Sequence, residues 1–172
     1  GKYCVEHVHR MRERFHTVEE YIMTLSAEEP LDITYILPVD AGAAGKAYAS
    51  SLQKRLAERG RVCVLFPHST KSKLIRFRPF ASVCQSGAVT IVSAEWNDWY
   101  FDELEQFVGD GKTHDDALDA GVAAFWALNR GVVLPDINPI NIAVAPQSIM
   151  AYSAGYSLNQ GSSEFTIPIF RY

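Results

Sequence analysis

The sequence predicts an α/β domain, a mixed sheet with helices packed on it, and three observations carry that expectation. Two compact apolar runs, Ile33 to Val39 and Arg61 to Pro67, have the length and β-branched content of buried strands. A helical stretch closed by Gly60 lies between them, which is the spacing of a strand–helix–strand unit. Further helical patterns flank the pair. At 172 residues and 48% hydrophobic, the chain is long enough for one domain with a real core.

Taken in order, Tyr3 to Arg12 alternates loosely between apolar and polar residues and reads as a strand. Thr17-Val18-Glu19-Glu20 has the form of a capping box, opening a short amphipathic helix through Val18, Tyr21, Ile22 and Leu25. The Ile33–Val39 strand runs into Asp40 and a Gly/Ala-rich turn, and a helix is expected from about Ala47 to Glu58. An acid at the carboxyl end of a buried strand is where α/β proteins place catalytic groups; the plainer role for Asp40 is a turn or cap residue. Gly42-x-x-Gly45-Lys46 lacks the spacing of a P-loop, and Ala47 stands where that motif has a hydroxyl, so nucleotide binding is excluded there. Lys71 to Arg78 is a basic turn or helix start, fit either to touch phosphates or to form a solvated face. Val89-Thr90-Ile91-Val92 follows Gly87 as a short strand, and Glu95 to Val108 is an acidic amphipathic helix whose aromatics belong to the core.

The densest chemistry lies in Gly111-Lys112-Thr113-His114-Asp115-Asp116-Ala117-Leu118-Asp119-Ala120. Thr113 is a good N-cap for the Ala-rich helix that follows, which Asn129-Arg130-Gly131 closes. Counted from that cap, Asp119 falls past the first turn, and all three aspartates share a sector of about 100°. Like charges so close repel, so the cluster requires solvent, a cation or a shared proton. Capping accounts for Asp115 and Asp116, but not for Asp119. The cluster therefore points to a divalent cation held by hard oxygens, magnesium or manganese. Removing Asp119 should then relieve repulsion in the metal-free protein.

Charge is unevenly shared along the chain. Eight Lys/Arg against one acid lie between Lys54 and Arg78, and nine acids against Lys112 lie between Ile91 and Ala120. A metal-dependent enzyme acting on a polyanion would use that asymmetry, and an ordinary solvated surface also produces it. Cys4, Cys63 and Cys84 are widely spaced, without a C-x-x-C pair, and read as reduced core residues of a cytosolic protein. No apolar run reaches the roughly 18 residues of a membrane span. Residues 131–172, rich in Pro, Asn, Ser and Gly, read as a peripheral C-terminal extension to a domain of residues 1–130.

Several of these motifs together resemble the C-terminal nuclease domain of the large terminase subunit of tailed bacteriophages, over roughly residues 1–130. They are Val39-Asp40-Ala41-Gly42-Ala43-Ala44-Gly45-Lys46, Lys71-Ser72-Lys73-Leu74-Ile75-Arg76, Gly87-Ala88-Val89, and Leu104-Glu105-Gln106-Phe107 leading into His114-Asp115-Asp116-Ala117-Leu118-Asp119-Ala120. The resemblance implies an RNase H-like fold and a DNA endonuclease that cuts concatemeric viral DNA during genome packaging, using two magnesium or manganese ions. It implies Asp40, Asp116 and Asp119 as catalytic metal ligands, with Asp115 as an alternative ligand and His114 orienting a carboxylate or the product strand. Lys71, Lys73, Arg76 and Arg78 would hold the DNA backbone. The implied partners are double-stranded DNA, the portal protein and the small terminase subunit, in the host cytoplasm and without a membrane. The sequence departs from the family in one respect: the strands that carry the family's first catalytic aspartate lie before the stretch that begins here, so the first strands are apparently missing. No ATPase motif is present. The competing readings are a non-catalytic RNase H-like module for DNA docking or assembly, and another RNase H-like nuclease such as a resolvase or transposase core.

Overall fold

The computed structural model describes residues 2–39, 42–67, 72–110, 112, 114–130, 148–151, 153–155 and 163–171. Among these, seven strands form one mixed sheet and five helices pack on it. The elements are β1 (Tyr3–Glu13), α1 (Phe15–Glu28), β2 (Ile33–Pro38), α2 (Ala43–Glu58), β3 (Val62–Phe66), α3 (Lys73–Gln85), β4 (Val89–Ile91), α4 (Asn97–Gln106), α5 (Asp116–Arg130), β5 (Ser148–Ala151), β6 (Ser153–Gly155) and β7 (Ser163–Arg171). The strand order is β3-β2-β5-β7-β1-β4, with β6 paired to β7.

β2 is buried along its length because both of its faces are covered. Ile33, Tyr35 and Leu37 point to one side, where they meet Val18 and Ile22 of α1 and Leu52 and Leu56 of α2. Ile36 points to the other side, into a core built from Phe80 of α3, Trp96, Tyr100 of α4 and the alanines of α5. The two-residue period of a strand thus divides one apolar run between two cores. The loose alternation of β1 has a local cause. Its register against β7 shifts between Val5 and His7, which leaves Glu6 as an extra residue. The phase change brings Val8 onto the same core as Tyr3 and Val5.

α5 lies close against this second core. Ala117, Ala120, Ala123, Ala124 and Ala127 are all buried, and side chains this small let a helix approach its neighbours closely.

Several expectations change. α1 begins at Phe15, whose ring stacks edgewise on Tyr48, so Thr17 falls inside the helix and the Thr17–Glu20 capping box does not form. Glu19 instead pairs with Arg55. α2 begins at Ala43 rather than near Ala47. The basic stretch before residue 62 is largely used inside the fold. Arg59 donates to the Met23 carbonyl and Ser26 of α1, while Arg61, itself buried, donates to the Glu29 and Pro30 carbonyls. These arginines cap the end of α1 and the turn into β2.

The peripheral position expected for residues 131–172 does not hold for their described part. β7 runs antiparallel to β1 from Cys4 to Glu13, and β5 lies between β7 and β2, parallel to β2. Without them β1 and β2 would each expose an unpaired edge. A chain ending at residue 147 should therefore lose the single cooperative transition of the full chain in thermal unfolding followed by circular dichroism. A truncated chain that melts at the full-length temperature would contradict this sheet order.

Candidate functional site

The acidic cluster is built at the start of α5. That helix opens at Asp116, and the Asp119 N–H donates to the Asp115 carbonyl at 2.9 Å. The start lies later than a cap at Thr113 would place it, and Thr113 is outside the described residues. Asp119 is consequently in the first turn rather than past it. Asp115 and Asp119 both sit at the positive end of the helix, where a negative charge is favoured.

Across from them stands the start of α3. Ser72 caps it by accepting from the Ile75 N–H, and this places Lys73 at the first position and Arg76 one turn on, on the same side. The Lys73 Nζ lies 2.6 Å from Asp115 Oδ2 and 2.7 Å from Asp119 Oδ2. Arg76 Nη2 lies 3.6 Å from Asp119 Oδ1. The cation that the acids require is therefore supplied by the protein itself. The carboxylates are largely shielded, at 14% exposure for Asp115 and 23% for Asp119, whereas Lys73 keeps 40% of its side chain in solvent. Partial burial works against the Lys73 charge, but hydrogen bonds to Asp115 and Asp119 and the attraction of both carboxylates outweigh it. Its pKa is raised above the ordinary 10.5. A cationic group with a raised folded-state pKa contributes its full stability below the unfolded value and loses it only as pH climbs through the folded one. The clasp is thus complete across the neutral range.

Asp116 faces different surroundings and is buried. Beside it, Glu103 of α4 is buried too, and its Oε1 accepts from the Ala117 N–H at 2.6 Å. A carboxylate from one helix thereby caps the next, which satisfies a donor that α5 cannot satisfy itself. Sequence reasoning counted Glu103 only as one acid of an acidic helix. The available signal was its position: Trp96, Tyr100, Glu103 and Phe107 follow the helical period of the buried stripe, so an acid there requires a partner.

His114 is exposed and lines a cleft of about 360 Å³ together with Arg10, Trp99, Asp102, Glu103, Gln106 and Lys112. The Arg10 guanidinium lies 5.2 Å over the Trp99 ring in the same cleft. Arg78 is exposed on α3. Asp40 and Lys71 lie outside the described residues. The structure brings together Asp115, Asp119, Lys73 and Arg76.

Among the described residues, no group of three or more His, Cys, Asp and Glu side chains is placed to hold a metal ion. The Asp115–Asp119 pair nevertheless fits one. Its oxygens already converge on a single cationic nitrogen, and magnesium is commonly held by one or two carboxylates with water completing the shell.

A mixed sheet covered by helices on both faces is an α/β architecture consistent with an RNase H-like domain. The family described as Terminase RNaseH-like domain matches residues 1–128, and the chain belongs to it. No curated protein and no solved structure matches the chain.

The clasp reverses the sign expected for one substitution. Asp119→Asn removes an ion-paired acid, not an uncompensated one, and leaves Lys73 with a single carboxylate. In chelator it should lower stability by about 1 kcal/mol, near the upper end for a partly exposed pair. Chemical denaturation of the two proteins checks this, and a mutant as stable as wild type would contradict it.

Proposed function

We propose that this domain is a divalent-metal-dependent DNA endonuclease that cuts concatemeric viral DNA during phage genome packaging. The observation that carries the proposal is the meeting of Asp115 and Asp119 on α5 with Lys73 and Arg76 on α3, in a chain of the terminase RNaseH-like family. Asp115 and Asp119 would hold a magnesium or manganese ion, with Asp116 and Asp40 as further catalytic acids. A cation bound there polarises a phosphodiester and lowers the pKa of bound water. The chain's own residues position the substrate. Lys73, Arg76 and Arg78, with Lys71, hold the phosphate backbone without reading base edges. Arg76 is placed for this work: its Nη2 makes only a long contact, 3.6 Å, to Asp119 Oδ1 beside the Lys73 pair. His114 orients a carboxylate or the product strand. Double-stranded DNA is the substrate, and the portal protein and small terminase subunit are the packaging partners.

One observation favours the second reading, a non-catalytic module for DNA docking. The acids of the candidate site are already paired within the chain, because the Lys73 ammonium contacts both Asp115 and Asp119.

Two measurements separate the readings. Wild type should nick supercoiled plasmid in manganese and not in chelator, and Asp119→Asn should not nick in either. A wild type that binds DNA in manganese yet never nicks it would transfer the assignment to the docking module. In parallel, the Lys73→Ala/Arg76→Ala double variant should weaken binding alike for two unrelated duplexes. Its salt dependence should flatten by about 0.9 in slope for each phosphate that is no longer neutralised. An unchanged slope would remove these residues from the interface.

A further inference from the structure

We infer that Lys73 is an exchangeable internal cation: its ammonium holds Asp115 and Asp119 together in the metal-free protein, and a divalent ion displaces it towards the DNA backbone. The inference rests on the nuclease reading of the same site. It starts from one coincidence of geometry. The Lys73 Nζ sits 2.6 and 2.7 Å from one oxygen of each carboxylate, in the space where an ion shared by the two would have to bind. An ammonium and a divalent ion cannot both occupy that space, so metal binding must break both lysine ion pairs. The lysine is equipped to leave. It stands at the first position of α3 and keeps 40% of its side chain exposed, so its four-carbon stem can carry the charge into solvent without unfolding anything. The carboxylates cannot follow, because α5 is fixed by its buried alanines and Leu118. Arg76, one turn further along α3, retains its place beside Asp119 Oδ1 and marks the side on which a phosphate would lie.

The exchange conserves atoms and protons: one ammonium leaves, one divalent cation enters, the space between the carboxylates gains one positive charge, and no covalent bond changes. It has two consequences. Metal affinity is set below that of an empty carboxylate pair, because the ion must first displace a competitor. The released ammonium then becomes available to a phosphate only when metal is present, so that backbone contact and metal occupancy rise together. Lys73 thus has two alternating roles, holding the two carboxylates without metal and holding a backbone phosphate with it, and takes no part at the reacting atoms.

The test is manganese titration of the metal-free full chain by calorimetry, comparing wild type, Lys73→Met and Lys73→Arg. Removal of the competitor should tighten manganese binding in Lys73→Met by about fivefold to tenfold, the scale of breaking partly exposed ion pairs. Lys73→Arg keeps the charge and should bind no tighter than wild type. A Lys73→Met protein that binds manganese with wild-type affinity or more weakly would overturn the exchange. A measurement on wild type alone decides the matter if that variant does not fold. Amine acetylation read by mass spectrometry should rise severalfold at Lys73 on adding saturating manganese, with Lys54 and Lys112 unchanged. Constant labelling of Lys73 would overturn the exchange. Wild type that nicks plasmid but shows neither effect overturns the exchange and leaves the nuclease reading standing. Wild type that binds no manganese overturns both.

Discussion

Two carboxylates at the start of α5 and one ammonium at the start of α3 join the acidic and basic parts of the molecule, and the arrangement of the site depends on that clasp. Each partner is held by something else. Ser72 sets where α3 begins and so where Lys73 and Arg76 emerge. Glu103 receives the Ala117 N–H and so helps set where α5 begins. Two helix starts are thereby turned towards each other. Each carries a charge suited to the other, although a cation at the start of α3 opposes that helix's own dipole. The opposition is tolerated because the full charges of the Asp115 and Asp119 carboxylates lie within hydrogen-bond distance and outweigh the partial charge of the helix end.

The sheet supplies the rigidity that this clasp requires. α5 lies against the face formed by Val5, Val8 and Ile36, and its small side chains let it approach closely. Behind the sheet, α1 and α2 bury Ile33, Tyr35 and Leu37. Burial on that side holds the Cys63 thiol protonated, pushed up to about 12, so the cysteine acts as a small apolar residue. The strands that close the sheet between β1 and β2 come from the end of the chain, so the platform under α5 is assembled from segments far apart in sequence.

Much of this was legible in the residues. β2 and β3 are short apolar runs with no competing period, and the structure places both within a residue of their expected limits. The acidic cluster and the basic helix start were visible as charge, because charge patterns need no three-dimensional information. What was hidden depended on partners distant in the chain. The basic helix start was expected on the face of the acid cluster, but nothing near Lys73 reveals that it pairs directly with Asp115 and Asp119. Arg59 and Arg61 looked like part of a basic surface, yet their guanidiniums are spent on the carbonyls at the end of α1. Ser163–Arg171 was hidden for another reason. Pro168 and scattered Ser and Gly residues weaken its strand signal, and its pairing with β1 spans almost the whole chain.

The central claim is that the Asp115–Asp119 pair is a cation site, held by Lys73 until a metal arrives. Anomalous scattering from crystals of the full chain grown in manganese tests it most directly. The predicted result is a manganese peak bound by one oxygen of each carboxylate, with the Lys73 side chain turned away from both. Lys73 still bridging Asp115 and Asp119, with no manganese between them at a saturating concentration, would contradict it.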